Sequence, residues 1–108
     1  MARSGCAVRL RAAVDANQKA IVAACRAMGA TVLHTHQLGK GAPDLIVGFK
    51  GREYLLECKD GSKPPSARRL TPDEETWHRQ WRGSVVRVVE SVDDALAALG
   101  VAKWRSDE

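Results

Sequence analysis

Two apolar runs separated by Lys50-Gly51 constrain this chain more than any other feature. Residues 44–49 (DLIVGF) and 52–59 (REYLLECK) each suit a short strand. The lysine–glycine pair between them is turn chemistry, because a two-residue hairpin turn needs positive φ and glycine accepts it without steric cost. A turn at these two residues makes Phe49 face Arg52, and counting outward brings Asp44 opposite Glu57. Opposed residues share a face, with Cβ atoms about 4.5–5.5 Å apart. Residues two apart in one strand also share a face, so Lys59 joins Glu57. One strand pair therefore presents two carboxylates and an ammonium together. Opposed carboxylates repel and push each other toward protonation. Leu45, Ile46, Val47, Leu55 and Leu56 mark both strands as largely buried, which sharpens the conflict. A divalent cation resolves it. Oxygen ligands select a hard ion, and Mg²⁺ is held by one or two carboxylates with room left for waters and phosphate. The competing account makes Glu57 and Lys59 an ordinary ion pair and Asp44 a turn residue after Pro43. The matched register and the basic loop that follows favour the ion.

The rest of the chain supplies a frame for this hairpin. Residues 1–14 read as a basic, Ala-rich arm carrying Arg3, Arg9 and Arg11. Asp15-x-x-Gln18 has capping-box spacing and opens a helix, with Gln18, Ile21, Cys25 and Met28 on one stripe and Gly29 as the stop. Residues 31–36 (TVLHTH) alternate as a strand, and 37–43 (QLGKGAP) form a Gly-rich connection. A Pro-containing loop, residues 60–70, follows the hairpin. Thr71, Pro72 and Glu74 are a helix start, and that helix runs to about Arg82 before Gly83. Residues 85–89 (VVRVV) read as a short buried strand. Ser91-x-x-Asp94 caps a last helix, with Val92, Ala95, Leu96 and Leu99 on its apolar side, ending at Gly100. The order is α-β-β-β-α-β-α, within one domain over residues 15–100 and a polar tail at 101–108.

Composition narrows the partners. Of 108 residues, Lys and Arg make 17 against 13 Asp and Glu, a net charge of +4, and eleven of the cations are arginine. A small basic domain rich in the side chain that forks onto phosphate favours nucleic acid. No apolar run reaches membrane length, and residues 1–14 contain no continuous apolar segment of a secretory signal. The three cysteines, Cys6, Cys25 and Cys58, are odd in number and widely spaced, which argues for a reducing cytoplasm and against a disulfide framework. No CxxC pair asks for structural zinc.

Residues 43–59 (PDLIVGFKGREYLLECK) resemble the PD-(D/E)xK nuclease signature: Pro43-Asp44, a hairpin, then Glu57-x-Lys59. The stretch 57–78 (ECKDGSKPPSARRLTPDEETWH) resembles the VRR-NUC branch of that superfamily, as found in small stand-alone bacterial and phage proteins. The resemblance spans about residues 15–100. It implies a restriction-endonuclease-like α/β fold, an αβββαβ core with a mixed central sheet and a C-terminal helix. It also implies hydrolysis of DNA phosphodiesters with Mg²⁺ or Mn²⁺, by a homodimer acting on branched DNA such as Holliday junctions. Asp44 and Glu57 would then be metal ligands together with the backbone carbonyl of Cys58, and Lys59 would orient the attacking water. Many relatives carry an acidic residue on the first helix, where this chain has Gln18. Gln18 either holds a metal-bound water by its amide oxygen or simply completes the cap with Asp15. Asn17 lies one position off the apolar stripe and is a weaker candidate.

Other residues divide between function and structure. Lys40, Lys63, Arg68 and Arg69 sit on loops beside the motif and suit the DNA backbone, as against a merely solvated surface. His78, paired with Arg82 at helical spacing, is a further phosphate candidate. His34 and His36 share a strand face and suit a structural role. Trp77 and Trp81 suit packing more than base stacking. Glu74 and Glu75 read as capping and helix-dipole residues. Cys58 alternates away from the acids into the core, and Trp104 suits packing against the domain or a partner. Two other functions are open to such a chain: a non-catalytic DNA-binding module on a nuclease scaffold, and a restriction- or repair-type nuclease acting on plain duplex.

Overall fold

A computed structural model describes residues 16–101. The basic arm at 1–14, the Asp15 cap, Cys6 and Trp104 lie outside the described residues. Helix α1 (Ala16–Ala27) leads to β1 (Thr31–His34), β2 (Leu45–Phe49) and β3 (Arg52–Cys58), then α2 (Pro72–Gln80), β4 (Val86–Val89) and α3 (Val92–Ala98). Short 3-10 turns occupy His36–Leu38 and Pro65–Arg68. The strands form one mixed sheet in the order β1-β2-β3-β4. The first two pairings are antiparallel, and β4 runs parallel to β3 after the crossover that contains α2. This is the α/β arrangement, with its mixed sheet and C-terminal helix, that the resemblance implied.

The hairpin has the expected register: Phe49 faces Arg52 and Leu45 faces Leu56. Lys50 and Gly51 both take positive φ, 50° and 80°, as a twisted two-residue turn demands. Alternation then sorts the side chains. Leu45, Val47, Phe49 and Leu56 join Ile21, Val22 and Cys25 of α1, Val89 of β4 and Ala95, Ala98 and Leu99 at α3 in one core. Burial pushes the Cys25 thiol above its ordinary value, so it behaves as a small apolar side chain. Leu55 and Glu57 point to the other face of the sheet by the same alternation.

Four expectations change. Strand β1 stops at His34, because the chain turns into the 3-10 segment at His36. His34 and His36 are therefore not strand neighbours on one face, although their rings still meet edge to face with centroids 6.1 Å apart. Met28 is exposed, since α1 ends at Ala27 and Gly29 turns the chain away; Val22 takes the buried place beside Ile21 instead. Residues 85–89 are not a buried run. β4 is an edge strand, with Val89 in the core and Val85 and Val88 exposed. Helix α2 ends at Gln80, and the ring of Trp81 lies against Gly83.

Candidate active site

Asp44 precedes β2 and is held by two hydrogen bonds of its own, while a third fixes Pro43 before it. Its carbonyl accepts the Thr35 N–H at 2.8 Å, which extends the β1–β2 pairing by one step. The buried Thr35 hydroxyl donates to the Pro43 carbonyl at 2.6 Å. The Asp44 Oδ2 accepts the Cys58 N–H at 2.8 Å, so its carboxylate is bound to the strand that carries Glu57. Thr35 was not singled out from sequence, although it is the residue that anchors the Pro43-Asp44 corner.

Glu57 is only 2% exposed. Lys59, two residues on, places its Nζ 3.9 Å from Glu57 Oε2 and 2.9 Å from Glu74 Oε1. Glu74 performs two tasks with one oxygen. Its Oε1 accepts the Thr71 N–H at 2.8 Å, which closes the capping box, and also takes the Lys59 ammonium. The sequence identified the cap and not the ammonium, so Glu74 is the site residue that sequence reasoning missed. His78, one turn further along α2, sets its Nε2 3.8 Å from Glu57 Oε1. The site thus joins one strand pair to the first turns of α2.

Electrostatics follow from this enclosure. Burial first, and then the charges of Asp44 and Glu74, push the Glu57 carboxyl up to about 10. Burial works against the Glu74 carboxylate as well. The bonds from Lys59 and the Thr71 N–H outweigh it and hold Glu74 below its ordinary value. Burial lowers His78 and the Lys59 charge adds to this, against the opposing pull of Glu74. Among the described residues, Glu57 Oε1 and His78 Nε2 are buried polar atoms with no hydrogen-bond partner. Such orphans are costly and ask for an occupant. No three His, Cys, Asp or Glu side chains among the described residues stand in a ready-made metal cage.

The other candidates are placed differently. Gln18 is buried on α1 and lines a groove of about 270 Å³ with Lys19, Val22, Arg26 and His34. Asn17 donates to the carbonyls of Lys59 at 2.7 Å and Glu90 at 3.1 Å. It staples α1 to the ends of β3 and β4, a positioning role its place off the apolar stripe concealed. Lys40, Lys63 and Arg69 stand exposed. Arg68 is committed within the fold, to Glu90 at 3.0 Å and to the Lys63 carbonyl at 2.7 Å. His78 is turned toward Glu57 and not toward open solvent. Trp77 and Trp81 stack on each other, with ring centroids 4.7 Å apart.

The Gly-rich loop docks on α2 at Gly41. Its φ is +87°, and a Cβ there would run into the backbone carbonyl of Asp73. Gly41→Ala is expected to cost about 2 kcal/mol, from left-handed strain and overpacking together. A thermal melt would show this as a midpoint lowered by roughly 10 °C. An unchanged midpoint would mean that the loop does not rest on α2.

The class that the fold defines is an α/β domain, a mixed four-stranded sheet with flanking helices, consistent with the nuclease type. No protein-family model matches the sequence, and no curated protein matches it. A solved structure described as a VRR_NUC domain is similar to it, with 28% sequence identity over 77% of this chain and 89% of that one, and a TM-score of 0.55. The likeness supports a VRR-NUC-type nuclease domain. No helix among the described residues is long and apolar enough to cross a membrane.

Proposed function

We propose that this chain is a divalent-metal-dependent DNA endonuclease that hydrolyses phosphodiester bonds. The observation that carries the reading is the buried Glu57 carboxyl with its orphaned Oε1, beside an Asp44 carboxylate pinned to the same strand pair. This donor set fits a hard cation: two carboxylates, with the Cys58 carbonyl on the same strand as a third oxygen ligand. Mg²⁺ suits it, and Mn²⁺ substitutes. When bound, the ion supplies positive charge at the scissile phosphate and acidifies water beside it.

The chain's own residues do the rest. Asp44 and Glu57 hold the ion. Lys59, steadied by Glu74, offers an N–H to the attacking water or to a phosphoryl oxygen, where charge grows during attack. Lys40, Lys63 and Arg69 take the DNA backbone, while Arg68 braces the 60–70 loop against Glu90. The substrate we favour is branched DNA such as a Holliday junction, cut by a homodimer whose two sites address opposite strands. The setting is cytoplasmic in this reading, and the resemblance favours a bacterial or phage source. The basic residues before position 15 belong to a DNA-contacting arm in this reading, and 15–100 to the nuclease domain.

Incubation with a four-way junction, a flap and a plain duplex, in Mg²⁺ or in EDTA, tests this. Cleavage of the junction in Mg²⁺, lost in EDTA and in Asp44→Asn, is the expected result. Binding of all three without cleavage of any would make the protein a non-catalytic DNA-binding module. Cleavage confined to one base sequence in the duplex would make it a restriction-type enzyme.

A further inference from the structure

We propose that His78 is a ligand of the metal, a nitrogen donor that shares the ion with Glu57 and biases the site toward Mn²⁺ over Mg²⁺. This rests on the metal-dependent reading above and assigns a residue that the two-acid motif does not include. Two atoms carry the argument. Glu57 Oε1 and His78 Nε2 are both buried, both lack a hydrogen-bond partner, and face each other at 3.8 Å. That separation is too long for a hydrogen bond between them. Two metal–ligand bonds of about 2.1 Å each span up to about 4.2 Å, so one ion can satisfy both atoms.

The surroundings fit a ligand better than a DNA contact. The Glu57 side chain is 98% withdrawn from solvent and the His78 side chain 85%, by their exposures of 2% and 15%. Phosphate recognition needs a donor that reaches outward, whereas His78 is directed inward at a carboxyl. Its position is fixed by α2, whose capping box at Thr71 and Glu74 is locked to Lys59. The ring also meets Trp77 edge on, with centroids 6.4 Å apart. The imidazole therefore reaches the acids from a rigid element, as a ligand must. Nitrogen donors suit Mn²⁺ and later transition ions more than Mg²⁺, which prefers oxygen alone.

The test uses the untagged full chain loaded with Mn²⁺. Electron spin echo modulation reports nitrogen bound directly to Mn²⁺, independently of any DNA cleavage. The chain has three histidines, His34, His36 and His78. Nitrogen modulation is expected in the wild type, and it should persist in the double variant His34→Gln/His36→Gln, which leaves His78 alone. Calorimetry should show Mn²⁺ binding weakened at least about tenfold in His78→Gln, with Mg²⁺ binding changed far less. Mn²⁺ bound without nitrogen modulation would overturn the His78 assignment and leave the nuclease reading standing. The same holds for modulation that disappears with His34 and His36. Failure of the wild type to bind Mn²⁺ or Mg²⁺ at all would instead remove the metal-dependent reading, and this inference with it.

Discussion

Replacing Glu57 by Gln is expected to stabilise the metal-free protein at neutral pH, and to stabilise it further as pH rises. The folded chain holds the Glu57 proton up to about pH 10, while the ordinary value is 4.5. Between those limits the unfolded chain releases a proton that the folded chain keeps, so stability falls as pH rises. The contribution of the neutral carboxyl is complete below the ordinary value and is lost as pH climbs through the folded one. Each pH unit in that window is worth about 1.4 kcal/mol at most, and relaxation of the site reduces it. We expect a gain of about 2 kcal/mol for Glu57→Gln at pH 7.5, or a midpoint raised by roughly 10 °C. Glutamine retains the size of the side chain and stays neutral across this pH window, so neither burial nor the charges of Asp44 and Glu74 penalise it as pH rises.

Thermal melts in EDTA at pH 5, 7 and 9 would measure this. The difference between variant and wild type should be small at pH 5 and largest at pH 9. A constant difference across the three would mean that Glu57 is not held neutral by its surroundings. Added Mn²⁺ should reverse the ranking. The wild type then gains stability by binding, and the variant, short of one carboxylate, gains little. Binding should also release a proton from the wild type, so its affinity should rise with pH.

Legibility from sequence depended on how far each signal had to travel. The Lys50-Gly51 turn fixes a register locally, and that register alone sets Asp44 opposite Glu57. Helix caps at Thr71 and Ser91 were visible for the same reason, since donor and acceptor lie three residues apart. Glu74 shows where that reach ends. Its cap is local, but its bond to Lys59 crosses a loop whose path no spacing rule sets. Asn17 is a similar case, tied to carbonyls 42 and 73 residues away. The run 85–89 misled because apolar content alone does not distinguish a central strand from an edge, and β4 proved to be the edge. His78 looked like half of an exposed helical pair, and only the crossover of α2 over the acid face turns it inward.

Lys59→Ala is expected to separate catalysis from metal binding. The Lys59 ammonium lies 2.9 Å from the Glu74 carboxylate and 3.9 Å from the Glu57 carboxyl, and its side chain is 13% exposed. It competes electrostatically with any cation at the acids. Its removal should therefore leave Mn²⁺ affinity unchanged or tighter, whereas Asp44→Asn should weaken it. The loss falls on the chemical step, where a positioned donor offsets charge on the phosphoryl oxygens. Such a donor is worth about 10²–10³-fold in rate. Lys59→Arg should not restore the rate, because the planar guanidinium is larger and cannot place a single donor in the same enclosed position. Single-turnover cleavage of a four-way junction, with calorimetric Mn²⁺ titration of the same samples, reads both quantities. Glu74 keeps its bond from the Thr71 N–H in the variant, so the cap survives and the fold should melt within a few degrees of wild type. Cleavage by Lys59→Ala at the wild-type rate would remove the residue from the mechanism. A matched loss of rate and metal affinity would show that Lys59 only holds the two acids in place.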